Sequence, residues 1–320
     1  MLASSTATAE KARRPVARKE KSGLKWTLRE MRRYKAAYFM VMPYYLIFAT
    51  FTIVPVILSF LLSFTSFDLL QPPVWIGLDN YLRLLLDDDI FLIAVQNTFL
   101  LALLTGPAGY MLSFCVAWFI NELSPRVRAV VTLVFFAPSL AGGTSMIFGI
   151  MFSGDSTGIA NAILLNHNFI DDPILFFRNA NWLIPLIVVI ALWGSLGAGF
   201  LGNIAGLQVV DRSLYEAGAV DGVKNRWQEL WYITLPSMKS MLLFSAIMTI
   251  TSSFGIGGMI TSLAGFPTVN YRAHTIMHHL DDFGGMRFEI GYASAIATIL
   301  FILMIGANVM VQKMLSKLGR

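Results

Sequence analysis

The chain has 320 residues, of which 56% are hydrophobic and only 13% are charged. Soluble domains carry about 25% charged residues, so the polar surface is too small for a water-soluble globule and part of the surface must face lipid. The net charge of +5 does not indicate nucleic-acid binding, because 11 of the 24 Lys and Arg residues lie in the first 35 positions. With a single cysteine, Cys115, an intramolecular disulfide and a cysteine-based metal cluster are excluded.

Six apolar segments have the length of about 20 residues that a helix needs to cross the hydrocarbon core. They are 36–67, 90–120, 129–154, 182–210, 241–265 and 290–311. The first is longer than the apolar region of a signal peptide and no small-residue cleavage site follows it, so we predict a retained helix. The pattern predicts an all-α membrane protein with six transmembrane helices.

The distribution of basic residues predicts the orientation. With the N-terminus inside, 20 of the 24 Lys and Arg residues fall on the cytoplasmic side, as the positive-inside rule requires. We therefore predict that both termini are cytoplasmic, with 1–35 forming a basic, disordered tail and 36–320 forming the transmembrane domain. The tail could also bind anionic lipid.

The predicted spans contain almost no ionisable residues. Ion-driven carriers usually place carboxylates or histidines at membrane depth, so the energy for transport is expected to come from outside the spans. No G-x(4)-G-K-[ST] motif occurs, and we predict that this chain binds no ATP itself. We also predict no catalytic site and no metal site. A secondary carrier or channel that works without an ATPase is the alternative, and a membrane-embedded enzyme is disfavoured because no convergent acids and bases are found.

The longest predicted cytoplasmic loop, 211–236, has the pattern of two short helices. Asp211 or Ser213 can cap the first helix, and Gly222 can end it in a left-handed conformation. The second helix is predicted to end at Pro236. It is predicted to carry three large apolar side chains on one face: Trp227, Leu230 and Trp231.

This loop resembles the EAA loop of binding-protein-dependent ABC importers, whose pattern is roughly E-A-A-x-x-D-G-A-x(9)-I-x-L-P. The residues that match the pattern or stay small at its positions are Glu216, Ala217, Gly218, Asp221, Gly222, Ile233, Leu235 and Pro236. The chain departs from the pattern at Gly218 and Val223, where the family usually has alanine. The resemblance implies that the loop contains a cytoplasmic coupling helix, between the fourth and fifth spans, that docks on an ATPase subunit.

Other segments resemble the carbohydrate-uptake branch of these importers, the maltose-type and glycerol-phosphate-type permeases. They are residues 42–43 with Pro55, 77–81, 97–98 and 291–295. This resemblance implies import of a sugar or oligosaccharide across a prokaryotic plasma membrane. The implied partners are two ATPase subunits that bind ATP and magnesium, a second homologous permease, and an extracellular or periplasmic substrate-binding protein.

Polar and aromatic residues within the spans are candidates for a sugar path, because sugars are bound through hydrogen bonds and aromatic stacking. The candidates are Asn97, Ser139, Thr144, Ser145, Trp193, Ser195, Asn203, Ser252 and Ser253. Each hydroxyl could instead bond within its own helix. Pro138, with Gly142 and Gly143, is expected to break or bend the third span, as happens along translocation paths.

Two further patterns each allow two interpretations. Gly202 and Gly206 have the spacing of closely packed membrane helices, and we expect packing rather than a gating hinge. His274, His278 and His279, followed by two aspartates, could form a metal site. Because nothing else completes a ligand set, we expect a solvated or partner-facing loop instead.

Overall fold

The computed structural model describes residues 31–140 and 143–316, and within them the chain is almost wholly helical. Most of the predicted tail, residues 1–30, therefore lies outside the described residues. The helices are α1 Lys35–Leu62, α2 Asp79–Leu82, α3 Asp89–Asn121, α4 Pro125–Leu140, α5 Gly143–Met151, α6 Ile159–Asn166, α7 Ala180–Gly194, α8 Ala198–Val209, α9 Arg212–Val220, α10 Arg226–Ser237, α11 Lys239–Phe254, α12 Gly257–Ala264, α13 Ile276–Asp281 and α14 Ile290–Ser316. Turns of π-helix follow α2 and α13, at Arg83–Asp87 and Asp282–Met286.

The chain divides into two compact units, Met1–Ile57 and Leu58–Arg320. In the first unit the described residues form most of α1, and its apolar side chains are exposed. Three helices of the chain, α1, α3 and α14, are long and apolar enough to cross a membrane. Three bent pairs, α4 with α5, α7 with α8, and α10 with α11, bring the number of spans to as many as six.

The first predicted span ends five residues early. Its apolar run continues to residue 67, but α1 stops at Leu62 and a short antiparallel pair follows, β1 Thr65–Ser66 and β2 Val74–Trp75. The buried amide of Asn80 donates to the carbonyl oxygens of Ser63 and Thr65, each at 2.9 Å. These two carbonyl groups are thereby held outside a helix, which an apolar run alone cannot reveal.

The fourth and fifth predicted spans are each interrupted, which their apolar composition did not indicate. Between α7 and α8 the chain bends by 40° at residues 195–197, and Gly197 has a non-helical backbone conformation. Between α11 and α12 the helix is interrupted at Gly255 and Ile256. In the third span α4 continues beyond Pro138, and the 81° bend between α4 and α5 agrees with the bend predicted from Pro138, Gly142 and Gly143, although residues 141–142 lie outside the described residues.

Helices α8 and α11 pack at very close range through small residues. A Cβ atom on Gly199 would lie 2.7 Å from Thr249 Oγ1, and one on Gly202 would lie 2.9 Å from Phe244 Cδ1. The Ser245 hydroxyl donates to the Gly199 carbonyl oxygen at 2.8 Å. Gly206 approaches α11 in the same way, so the packing role predicted for Gly202 and Gly206 is confirmed.

Candidate functional site

Three pairs of consecutive helices, α4/α5, α7/α8 and α11/α12, have their adjoining ends at one cavity of about 250 Å³. Its walls come from the adjoining ends of α4 and α5, of α7 and α8, and of α11 and α12, together with Thr105 of α3. Helix breaks leave backbone polar groups without intrahelical partners, and in membrane proteins such irregular backbone is tolerated where it lines a cavity. Six predicted path residues line it: Ser139, Thr144, Ser145, Ser195, Ser252 and Ser253.

Three predicted path residues lie elsewhere and hold other parts of the fold together. The Asn97 amide donates to the carbonyl oxygens of Tyr271 and His274, at 2.8 and 2.9 Å. Asn203 is fully buried and donates to Ser113 Oγ at 3.1 Å. Trp193 packs against two phenylalanines. All three were selected because they are polar or aromatic within a span, and that criterion does not tell which way a helix faces.

The cavity also contains residues that the sequence reasoning missed. Thr105, Gly199 and Thr249 line its wall. Thr249 lies one helical turn before Ser252 and Ser253, so their helical spacing could have indicated it. Gly199 was not a candidate because it has no polar or aromatic side chain. It reaches the cavity because the helix is interrupted between α7 and α8.

Five of the cavity hydroxyls donate their protons to their own helices. Ser139 donates to the Phe136 carbonyl oxygen at 2.7 Å, Ser195 to Leu192 at 2.6 Å, and Ser253 to Ile250 at 2.7 Å. Thr249 and Ser252 bond to carbonyl groups four residues earlier in the same way. Each such oxygen keeps acceptor capacity, so these side chains act on a ligand chiefly as acceptors.

The second site is the loop between α8 and α11, which forms two short helices as predicted. The Asp211 carboxylate accepts the Ser213 N–H at 3.0 Å and caps α9, so Asp211, not Ser213, is the capping residue. Hydrogen bonds from the Ser213 backbone and side chain hold the pKa of Asp211 below its usual value. Gly222, at φ +94°, follows α9 in the predicted left-handed conformation.

Helix α9 folds back onto α10 at Gly218. A Cβ atom there would lie 2.6 Å from Ile233 Cδ1, the mobile end of a flexible side chain, so the alanine of the EAA pattern would fit after a small rotation of Ile233. Beside this contact the hydroxyls of Tyr215 and Thr234 are 2.8 Å apart. The motif therefore has an exposed part and a supporting part. The exposed residues are Glu216, Ala217, Asp221, Gly222 and Pro236, whereas Gly218, Ile233 and Leu235 are buried or half-buried.

Trp227, Leu230 and Trp231 line one pocket beside α3, as expected for a shared face of α10. Leu230 is 7% exposed, whereas Trp227 and Trp231 are 71% and 60% exposed, so only the leucine is buried. Helix α10 ends at Ser237, one residue after the predicted end at Pro236. A π-helical turn at Leu230–Thr234 places a looser turn before the proline, where an N–H is missing.

The loop and the cavity lie at opposite ends of the same helix pair. Helix α8 begins at the cavity with Gly199 and leads into α9 after Val209. Helix α11 follows α10 and ends at the cavity with Ser252 and Ser253. Small residues hold α8 close against α11 along their length, so the packed pair connects the loop to the cavity.

The loop also contacts the end of α3. Arg226 forms ion pairs with Glu122 at 2.7 Å and with Glu229 at 2.9 Å. The rings of Trp118 and Trp227 are 5.4 Å apart. Both ion pairs are largely exposed and contribute little to stability, so they orient α10 relative to α3 without locking it.

The segment 274–282, called the histidine loop below, is buried, which corrects the expectation of a solvated or partner-facing loop. His274, His278 and His279 are between 0% and 2% exposed, because α13 packs between α3 and α14. The Asp88 carboxylate accepts hydrogen bonds from the Phe91 N–H, the His279 imidazole and the Tyr292 hydroxyl. Among the described residues, no group of three or more His, Cys, Asp or Glu side chains has the arrangement of a metal site.

Burial sets the protonation of this cluster. It lowers the pKa of His274 and of His278 to about 4, and it lowers that of His279 despite the neighbouring Asp88. Burial alone would raise the pKa of Asp88, but the Phe91, Tyr292 and His279 hydrogen bonds leave it below its usual value. His279 therefore donates from Nε2 to an ionised carboxylate and accepts at Nδ1 from His274 Nε2, 3.3 Å away.

The protein is expected to lose stability in mild acid. An unfolded histidine titrates near pH 6.5, so the native state binds fewer protons than the unfolded state between about pH 6.5 and pH 4. Stability is then full above pH 6.5 and falls as the pH drops through this window. Thermal unfolding of the purified protein, followed from pH 7.5 to pH 5, checks this. His274→Phe should weaken the pH dependence, and an unchanged profile would contradict the assignment.

Comparisons with known proteins agree with this arrangement. Residues 109–317 match a family described as binding-protein-dependent transport system inner membrane component. The probable ABC transporter permease protein YesP of Bacillus subtilis (strain 168) is 29% identical over 84% of this chain and 86% of YesP. The lactose transport system permease protein LacF of Rhizobium radiobacter is 30% identical over 67% of this chain and 70% of LacF.

The fold is also found in solved structures. A chain of a bacterial ABC transporter involved in the import of the acidic polysaccharide alginate superposes with a TM-score of 0.74, at 23% identity, over 92% of this chain and 100% of that chain. The alginate transporter in complex with an alginate pentasaccharide-bound periplasmic protein gives a TM-score of 0.71, at 23% identity, over 90% and 97%. At this identity the likeness shows a shared fold.

Proposed function

The chain belongs to the family of binding-protein-dependent transport system inner membrane components, and we propose that it forms the translocation pathway of a saccharide importer and couples that pathway to a separate ATPase. The observation that carries the proposal is the placement of the EAA-like loop and the hydroxyl-lined cavity at opposite ends of the clamped α8/α11 pair. The names of the relatives, which include a lactose permease, support a saccharide as cargo.

The proposed assembly has this chain at its centre in the plasma membrane. Both termini and the loop 211–236 face the cytoplasm, where two ATPase subunits bind ATP and magnesium. A second homologous permease completes the pathway, and a substrate-binding protein delivers the saccharide from outside. The complex of the alginate transporter with its periplasmic protein supports this last partner.

The proposed mechanism is a conformational switch without covalent chemistry in this chain. Closure of the ATPase dimer on ATP displaces α9, whose exposed residues Glu216, Ala217, Asp221 and Gly222 form the docking surface. The displacement moves α8 and α11 together, and the cavity at their far end changes the side from which it is accessible. ATP binding shifts the population because the two states differ in their contacts with the ATPase.

A secondary carrier or channel is the alternative function. It would move substrate without nucleotide, and it would normally place charged residues along its path. Among the described residues that line the cavity none is ionisable, which favours an external motor. Reconstitution in proteoliposomes separates the two functions. Uptake should require the ATPase subunits and ATP, and uptake without an ATPase would show the proposed function to be wrong.

Filling the cavity is expected to stop uptake. Ser252 is exposed to the cavity and donates to the Met248 carbonyl oxygen, so Ser252→Trp places an indole ring in the cavity without displacing the helix packing. We expect saccharide uptake to fall to background while the ATPase subunits stay associated and basal ATP hydrolysis persists.

Ser262→Trp is the matched control. Ser262 is also exposed and donates to the carbonyl group four residues earlier, but it lies on α12 outside the cavity lining. Its uptake should stay near that of the wild type. Equal uptake by both variants would show that the cavity is not on the path.

A further inference from the structure

The described residues that line the cavity are uncharged. The six helix ends that meet there contribute hydroxyls, glycines, alanines and apolar side chains, and no described lining residue carries a charge. Helices α7 and α12 contain no ionisable residue at all, and α8 and α11 contain only Lys239, at the far end of α11. A ligand that enters this part of the pathway therefore meets no countercharge from the described residues of this chain.

The hydrogen-bonding capacity of the cavity is also specific. Its hydroxyls have donated their protons to backbone carbonyl groups, so Ser139, Ser195, Ser252 and Ser253 present acceptor oxygens. Uncharged donors come from the backbone at the start of α8, where no side chain caps the helix. Sugar hydroxyls, which donate and accept, match this set.

A carboxylate matches the hydrogen-bonding groups of the cavity poorly. An ionised carboxylate has only acceptors, and most of the cavity's side-chain groups also present acceptors. The start of α8 supplies a partial positive charge, but burying an ion without a full opposite charge remains costly. The lining therefore suits an uncharged saccharide better than an ionised one.

We propose that this cavity selects uncharged saccharide units and excludes uronates. The proposal rests on the proposed function, and it deepens it by naming the substrate class. It sets this chain apart from the alginate importer whose fold it shares, since that transporter imports an acidic polysaccharide.

Equilibrium binding to the complete permease–ATPase complex, without its binding protein, tests the proposal. The probes are tritiated neutral disaccharides (lactose, maltose and cellobiose) and tritiated acidic disaccharides (digalacturonate with two carboxylates and cellobiouronate with one). We expect the best neutral probe to bind at least about tenfold more tightly than either uronate, because the uronate has no countercharge. Ser252→Arg supplies that charge and should reverse the preference, whereas Ser262→Arg, outside the cavity, should leave it unchanged.

Each outcome supports or overturns the proposed selection by charge. A wild-type complex that binds a uronate as tightly as the best neutral probe overturns the selection by charge. Binding of none of the probes overturns the assignment of the cavity as a saccharide site. ATP-driven uptake, measured in parallel in proteoliposomes with the binding protein, tests the proposed function separately: ATP-dependent uptake of a uronate would refute the inference while leaving the importer function standing.

Discussion

Gly222→Trp is expected to abolish association of the ATPase subunits while leaving membrane insertion intact. Gly222 lies at the exposed bend after α9, and a Cβ atom there would meet nothing within 4 Å in this chain. The indole ring would therefore project from the surface that we propose docks on the ATPase. Affinity purification of the chain with its ATPase subunits, followed by measurement of their ratio, checks the prediction.

Two controls separate bulk at the docking surface from backbone strain. At φ +94° any side chain is strained, at a cost of roughly 1–2 kcal/mol in the left-handed region, and Gly222→Asn introduces this strain with little bulk. Gly77→Trp adds the same bulk at another positive-φ glycine with open surroundings, on the predicted outer side. Both controls should retain the ATPase. Normal co-purification with Gly222→Trp would contradict the docking role of the loop.

The loop could be predicted from the sequence because its structure depends on short-range signals. A capping aspartate and a glycine in the left-handed region mark the two ends of one short helix, and the structure confirms both, at Asp211 and Gly222. The π-helical turn could not be predicted, because α-helical periodicity assumes a constant number of residues per turn.

The helix breaks show the opposite case. Apolar composition predicted that residues 182–210 and 241–265 cross the membrane, but it gave no sign of interruptions at Gly197 or Gly255. The contacts that hold the first break come from helices that are distant in sequence. The Ser195 hydroxyl, for example, also approaches the Gly109 carbonyl oxygen at 3.1 Å.

The histidine loop failed as a prediction for a similar reason. Its polar composition is typical of a solvated segment, yet in the interior Asn97 donates to its backbone and Asp88 accepts from His279. Polar residues are buried when they have partners, and a single sequence does not show partners that lie about 190 residues away. The cavity was predicted only in part. Its serines were identified as path candidates, but the sequence did not show that they line one common cavity.

Gly199→Leu is expected to uncouple ATP hydrolysis from transport. A Cβ atom at this position would lie 2.7 Å from Thr249 Oγ1 and 3.0 Å from the Ser245 carbonyl oxygen, so leucine must push α8 away from α11. Overpacking of this kind costs about 1–3 kcal/mol or more. The docking surface begins more than a dozen residues further along the chain, so the ATPase subunits should still bind and hydrolyse ATP while uptake falls to background.

The measurement is the ratio of saccharide imported to ATP hydrolysed in proteoliposomes. It distinguishes a loop whose motion is transmitted through the packed α8/α11 pair from a loop that only tethers the ATPase to this chain. Gly199→Ala adds a smaller side chain at the same contact and should lower the ratio less. Gly306→Leu, on α14 where a Cβ atom meets nothing within 4 Å, controls for the glycine-to-leucine change in a membrane helix. If the loop acted as a tether, widening the α8/α11 contact would leave the ratio unchanged. If the pair transmits the motion, the ratio must fall, because a displacement of α9 is then absorbed between the separated helices before it reaches the cavity.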